Sequence, residues 1–191
     1  MISSDQTTKH YDLRPHGDLE IAIIADTHGQ IDPRVLQLIS QSDVALHAGD
    51  ILGAAVLESM NPRLGIVIAV CGNNDFAVTW PMEEHAVLNQ LPEVAVVECV
   101  GGSIVIEHGH LLRNIETNHY PLAYKYPDAR MVVYGHTHVQ RLDQDSPPWL
   151  VNPGAAGLTR TNGGASCYQL RIQGEHWSTE EYKFCQIKRA G

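Results

Sequence analysis

Five short apolar runs of this 191-residue chain each end in residue types that bind metals. In order, these are Ile21–Ala25 before Asp26-Thr27-His28-Gly29, Val44–Leu46 before His47-Ala48-Gly49-Asp50, Gly65–Val70 before Cys71-Gly72-Asn73-Asn74-Asp75, Ile104–Ile106 before Glu107-His108-Gly109-His110, and Met131–Tyr134 before Gly135-His136-Thr137-His138. The first runs alternate with helix-like stretches, a pattern typical of a largely parallel sheet covered by helices. The sequence therefore predicts an α/β fold.

The stretches between and beyond these runs predict the other elements. Asp32 as N-cap and Pro33 at the first helical position begin a helix, and residues 54–60 form a second. Gly101-Gly102 joins two β-rich runs, 93–100 and 103–107, as a hairpin. Pro121 limits a helix within 114–127. Strands are expected at 130–134, 139–143, 149–151, 166–172 and 175–184, with a loop over 152–165.

Domain organisation follows from the change in pattern near Asp18. Residues 1–18 are polar and without periodicity, which predicts a flexible N-terminal lead-in. Residues 19–191 contain no repeat, linker or low-complexity tract and are expected to form a single domain.

Composition narrows the class of protein. No apolar run approaches the about 18 residues of a membrane span, and the polar start lacks a signal-peptide core. The four cysteines are scattered and predict reduced thiols in a cytoplasmic protein. Lys and Arg number 13 against 22 Asp and Glu, a net charge of −9 that argues against binding long nucleic acids. The 11 histidines call for a separate explanation.

The polar residues after the apolar runs are expected to meet at one edge of the sheet, because ligands bind beyond the carboxyl ends of parallel strands. The convergent set is Asp26, His28, Asp50, Asn73, His108, His136 and His138. Carboxylate and imidazole together suit transition metals. Seven ligands exceed one tetrahedral zinc site and suffice for two ions that share a bridging carboxylate.

With these residues the sequence resembles the calcineurin-like metallophosphoesterases. The family motifs DxH, GD, GNxD, HGH and GHxH appear in order at 26–28, 49–50, 72–75, 108–110 and 135–138. The order and short length are most similar to the YfcE-like small phosphodiesterase branch, and the match covers about residues 19–184. The resemblance implies a four-layer αββα sandwich of two mixed β-sheets flanked by helices.

The resemblance also implies a role for each ligand. Asp26, His28 and His138 would bind one divalent ion, Asn73, His108 and His136 would bind the other, and Asp50 would bridge them. We expect manganese, with nickel, iron, zinc or magnesium as alternatives. The family chemistry is hydrolysis by a hydroxide that bridges the two metals.

Two positions depart from the family pattern. Asn74 replaces the histidine of GNHD that many relatives use at the leaving group, and an amide is no general acid at neutral pH. Ala155 replaces the serine of NPGS, so a supporting hydroxyl is absent. We therefore expect small phosphodiesters with good leaving groups, with His110 as the remaining proton donor and Asp75 orienting a ligand by a hydrogen bond.

Alternative functions stay open from sequence. A phosphomonoesterase or nucleotidase could use the same metals, and a protein-binding scaffold such as the retromer subunit of this fold could keep a vestigial site. No membrane partner is expected, and homo-oligomerisation is left open.

Other conspicuous residues have plainer interpretations. His47 is expected to be a hydrogen-bonded core residue, and Tyr120, Tyr124 and Tyr126 to be ordinary packing. Arg113 and Arg160 are expected on the surface rather than on substrate. Five further histidines are predicted to be surface residues: His10, His16, His85, His119 and His176.

Overall fold

A computed structural model describes residues 7–186, which contain eleven strands and four α-helices. The strands are β1 (Thr8–Asp12), β2 (Leu19–Ile24), β3 (Val44–His47), β4 (Ile66–Ala69), β5 (Val94–Cys99), β6 (Gly102–Glu107), β7 (Met131–Val133), β8 (Arg141–Asp143), β9 (Trp149–Asn152), β10 (Ser166–Gln173) and β11 (His176–Lys183). The helices are α1 (Pro33–Gln41), α2 (Ala54–Ser59), α3 (His85–Leu88) and α4 (Pro121–Lys125), with 3-10 turns at Arg14–His16 and Met82–Glu84.

The strands form two mixed sheets. One has five strands in the order β11-β10-β2-β3-β4, in which β2, β3 and β4 run parallel. The other has six strands in the order β1-β5-β6-β7-β9-β8, in which β6, β7 and β9 run parallel. The predicted hairpin is confirmed as the antiparallel pair β5–β6.

Three apolar clusters make the layers. The central cluster joins residues of both sheets, such as Ile23 and Leu46 of one and Ile104 and Val133 of the other, so the sheets pack face to face. A second cluster lies between the five-stranded sheet and helices α1 and α2. A third packs α4 and its flanking residues against the six-stranded sheet. The predicted α/β class and four-layer sandwich are confirmed.

Local sequence signals explain the first crossover. The Asp32 carboxylate accepts a 2.9 Å hydrogen bond from the backbone N–H of Arg34, which caps α1 as predicted. The buried side of α1 presents Val35, Leu38 and Ile39 to the sheet, at helical spacing. Short crossovers of this kind lead from the end of one strand back to the edge where the next strand begins, so parallel strands all end at the same edge.

The predicted lead-in is partly ordered. β1 pairs in parallel register with β5, and Leu13 is buried in the central cluster. Residues 1–6 lie outside the described residues. The residues that β1 pairs with are 86 positions further along the chain, so no local signal predicts the pairing. A polar edge strand needs only backbone hydrogen bonds to its neighbour.

Several smaller expectations differ from the structure. His119 is fully buried, with Nδ1 2.9 Å from the Tyr134 hydroxyl, so its predicted surface position is wrong. Tyr126 is buried, whereas Tyr120 and Tyr124 are exposed, so the three do not form one packed cluster. The four cysteines are free thiols, as predicted. No helix within residues 7–186 has both the length and the apolarity to cross a bilayer.

Candidate metal centre

The carboxyl ends of β2, β3, β4, β6 and β7 meet at one edge of the sandwich. Backbone hydrogen bonds tie the loops that leave them together: Asp26 N donates to Gly49 O at 3.0 Å, and Gly135 N donates to His108 O at 3.1 Å. The loops therefore converge, as the strand-end pattern predicts.

Backbone conformation distinguishes these loops from ordinary turns. Five of the seven predicted ligands have positive φ: Asp26 (53°), His28 (48°), Asp50 (56°), His136 (70°) and His138 (57°). Left-handed backbone is uncommon for residues other than glycine and is concentrated at functional sites. These uncommon backbone conformations occur in the turns that follow the strands, and each turn directs a side chain to the common edge.

One group of ligands surrounds a small space between the first and last motifs. Asp26, His28, Asp50 and His138 each offer a ligand atom, and these atoms all lie within 4.8 Å of one another. The Nε2 atoms of His28 and His138 are 3.2 Å apart, and His138 Nε2 is 3.5 Å from Asp26 Oδ1.

The second group surrounds the Asn73 side chain. Asn73 Oδ1 lies 2.8 Å from His136 Nδ1 and 3.1 Å from His108 Nε2. Asn73 is exposed and His108 is buried, so this group opens to solvent on one side.

Asp50 belongs to both groups. Its Oδ1 lies 3.4 Å from His108 Nε2, and its Oδ2 lies 3.9 Å from His28 Nε2. The structure thus brings all seven predicted ligands together, with a carboxylate between the two groups.

The donor set fits divalent cations. Asp26 Oδ2 is buried and accepts no hydrogen bond within residues 7–186, an unfavourable state that a cation would relieve. Burial raises the pKa of Asp26 to about 7. Burial also lowers the pKa of His28 to about 4 and lowers those of His136 and His138, which keeps their imidazoles neutral and able to bind a metal.

Charge interactions oppose burial at Asp50 and His108. Burial by itself disfavours the charged form of both residues. Burial is the largest single influence on each, but the attraction between the two residues, together with the Asn74 hydrogen bonds to Asp50 and the charge of Asp26 near His108, outweighs it. The pKa of Asp50 is therefore lowered and that of His108 is raised. Asp50 is therefore ionised, which is the form in which a carboxylate binds a metal.

Backbone carbonyls fix which nitrogen two of the histidines turn inward. His108 Nδ1 lies 2.8 Å from Ala48 O, and His138 Nδ1 lies 2.6 Å from Arg160 O. A carbonyl only accepts, so each Nδ1 carries a proton, and Nε2 is the nitrogen that would bind a metal.

Asn74 and Gly72 hold the Asp50 carboxylate. Asn74 donates to it twice, from its backbone N–H at 2.8 Å and its side-chain amide at 2.6 Å. A Cβ at Gly72 would lie 2.3 Å from Asp50 Oδ1, so the third motif approaches this carboxylate more closely than any side chain allows. The sequence shows that position 74 lacks an acid, but it did not predict that Asn74 holds the Asp50 carboxylate by hydrogen bonds.

Asp75 lies beneath the site, with a contact different from the predicted one. Its carboxylate accepts from the backbone N–H groups of Ile51, Leu52 and Gly72 and from the indole N–H of Trp80, at 2.8–3.1 Å. Within residues 7–186 no hydrogen bond joins it to a ligand side chain. Asp75 therefore orients the loops that follow β3 and β4, whose backbone N–H groups donate to it.

His47 and Thr27 join the first two motifs. His47 is buried, as predicted, and its Nδ1 accepts from Gly49 N at 3.2 Å. Its Nε2 therefore donates to the Thr27 hydroxyl, 2.9 Å away. Burial lowers the pKa of His47 to about 3, so the ring stays neutral. Thr27 is the middle residue of the DxH motif, and no role for it was predicted from the sequence.

Two further residues border the site. His110 lies beside the second group, its ring centroid 5.5 Å from that of His108, and its buried Nδ1 has no hydrogen-bond partner within residues 7–186. The Arg160 side chain is exposed, as predicted, and it also reaches the first group, with Nη1 3.3 Å from His28 Nδ1. The methyl group of Ala155 is buried.

A two-sheet sandwich with histidines and carboxylates at one edge is the arrangement of a metallophosphoesterase. Residues 19–175 match the calcineurin-like phosphoesterase superfamily domain, and the chain belongs to this superfamily.

The relatives agree with this assignment. The chain is 28% identical to a probable metallophosphoesterase of Methanocaldococcus jannaschii over 149 residues, 75% of this chain and 71% of the relative. A phosphodiesterase of the same organism is 25% identical over 143 residues, 71% of this chain and 83% of the relative. Vacuolar protein sorting 29 from Cryptosporidium parvum shares the fold, with a TM-score of 0.70 at 18% identity, 88% of this chain and 99% of that one.

Proposed function

We propose that this chain is a cytoplasmic phosphodiesterase that hydrolyses small phosphodiesters at a site of two divalent ions. The observation that carries the proposal is the position of Asp50, whose two oxygens face two separate groups of ligands. The similarity to a phosphodiesterase of Methanocaldococcus jannaschii supports the reaction class. Manganese is the proposed metal.

The residues of the site have different roles in the proposed reaction. When bound, the two ions would lower the pKa of a water toward neutrality and polarise the phosphoryl group. Asp50 holds the two halves at a fixed separation, and the amide of Asn74 fixes the carboxylate's orientation. The hydrogen bonds of Asp75 keep the supporting loops in place. Asn73 contributes the neutral oxygen ligand of the second half.

Proton delivery to the leaving alcohol is assigned to His110. It borders the second group and has an unpartnered ring nitrogen, whereas Asn74 is committed to Asp50. Burial lowers the pKa of His110, so little of it is protonated at neutral pH. This chemistry favours diesters whose alcohols leave without a strong acid.

A second candidate is a protein-binding scaffold. It is supported by an apolar loop after the third motif, where Phe76, Val78 and Met82 are exposed, and by the likeness to vacuolar protein sorting 29. A phosphomonoesterase acting at the same metals is the third.

The test is hydrolysis by protein freed of metal with a chelator and reloaded with manganese. The assay compares bis(p-nitrophenyl) phosphate with p-nitrophenyl phosphate. We expect faster turnover of the diester, and loss of activity in His136→Ala but not in the matched control His176→Ala, an exposed histidine of β11. Preference for the monoester would favour the phosphomonoesterase. A metal-loaded protein inactive on both esters would favour the scaffold.

A further inference from the structure

Arg160 lies in a loop that is fixed against the first metal-ligand group. Ala156, at the start of this loop, donates to Ala25 O at 2.9 Å, and Gly157 forms an isolated bridge with Ile31. A Cβ at Gly157 would lie 2.5 Å from Thr27 O, so the loop packs directly on the turn between Asp26 and His28.

The backbone of Arg160 directs two of its groups to the same place. Its φ is 58°, an uncommon conformation for a residue with a side chain. Its carbonyl accepts from His138 Nδ1 at 2.6 Å, while its guanidinium Nη1 lies 3.3 Å from His28 Nδ1. The carbonyl orients one ligand, and the guanidinium borders another.

The contact between Arg160 and His28 cannot persist as a hydrogen bond when His28 binds a metal. Nε2 of His28 faces His138 and Asp50, so Nε2 is the nitrogen that would bind, and Nδ1 then carries the proton. A guanidinium has only donors, so two N–H groups would face each other. The guanidinium is left without an acceptor at the edge of the site.

Arg160 also lacks a carboxylate partner within residues 7–186. Four other arginines pair with carboxylates, Arg14 with Asp12, Arg34 with Asp32, and Arg63 and Arg171 with Glu20. Arg113, Arg130 and Arg141 resemble Arg160 in having no such pair among the described residues, but Arg160 is the one that contacts a predicted metal ligand. An exposed arginine with free donors beside a metal site is suited to an anionic oxygen, because its donor geometry matches phosphate.

We propose that the Arg160 guanidinium binds a non-bridging oxygen of the substrate's phosphate group, next to the metal half formed by Asp26, His28 and His138. This inference rests on the proposed function. Arg160 adds a positive charge to that of the metals. Its contact also fixes the orientation in which the phosphate binds. The ligand class is a phosphate or phosphate ester.

The test measures binding of inorganic phosphate to the manganese-loaded protein by isothermal titration calorimetry, alongside metal content. Arg160→Gln should weaken phosphate binding roughly tenfold or more, the usual effect of losing a charged hydrogen bond. It should leave metal content unchanged, because residue 160 keeps its carbonyl. Arg160→Lys should recover part of the affinity, and the control Arg63→Gln should bind phosphate like the wild type.

Kinetics provide an independent reading. KM for the aryl diester should rise in Arg160→Gln by a larger factor than kcat falls, since the contact is made with bound substrate. Unchanged phosphate affinity in Arg160→Gln would overturn the inference, as would a loss of metal in that variant. A metal-loaded wild type that neither binds phosphate nor hydrolyses diesters would instead contradict the proposed function, and the inference with it.

Discussion

The Nε2 atoms of His28 and His138 lie 3.2 Å apart, although 110 positions separate the two residues in the chain. Each follows a strand of a different sheet, so the contact exists only because the sheets pack with their carboxyl ends at one edge. Two imidazole nitrogens at this separation share a single proton or a cation, and the buried Asp26 beside them favours the cation.

The raised pKa of Asp26 predicts a pH-dependent stability of the metal-free chain. The folded chain holds this proton more tightly than the unfolded chain, so the stabilisation is complete below about pH 4 and is lost as the pH rises through about 7. At about 1.4 kcal/mol per pKa unit, the loss amounts to at most about 4 kcal/mol.

Urea unfolding with a chelator present, at about pH 5 and about pH 8, measures this loss. The variant Asp26→Asn cannot ionise and should lose less stability between the two values than the wild type. An equal loss in both proteins would contradict the assignment of the charge to Asp26.

Asp75 should contribute to stability more than to chemistry. Asp75→Ala leaves three backbone N–H groups and the Trp80 indole without their acceptor, which we expect to cost about 3 kcal/mol of unfolding free energy. Chemical denaturation measures the loss, and the exposed Asp145→Ala serves as the control. A fully stable Asp75→Ala protein would show that these donors find other acceptors.

Asn74 should determine how strongly the rate depends on the leaving group. Asn74→His supplies a general acid, which we expect to accelerate hydrolysis of alkyl diesters by on the order of 100-fold and aryl diesters much less. Rates over a series of diesters with alcohols of different pKa measure the effect, and Asn74→Ala is the control without an acid. Equal acceleration across the series would indicate that the histidine acts by another route.

Much of the site could be predicted from sequence because its signals are local. Each of the five motifs directly follows an apolar run, and parallel strands bring such positions to one edge. The cap at Asp32 and the hairpin at Gly101-Gly102 are equally local and are confirmed.

Other features could not be predicted because they depend on partners distant in sequence. β1 is defined by its pairing with β5, and the burial of His119 by the position of Tyr134. Asp75 binds backbone groups whose direction only the fold determines. Arg160 resembles any surface arginine until its loop is placed against His28.

Metal content of the manganese-loaded protein, with and without Asp50, tests the central claim most directly. Elemental analysis should find two ions per wild-type chain. Asp50→Asn should keep at most one ion and lose diester hydrolysis, because the proposed function has the Asp50 carboxylate bridge the two ions. An Asp50→Asn protein that keeps two ions and full activity would contradict it.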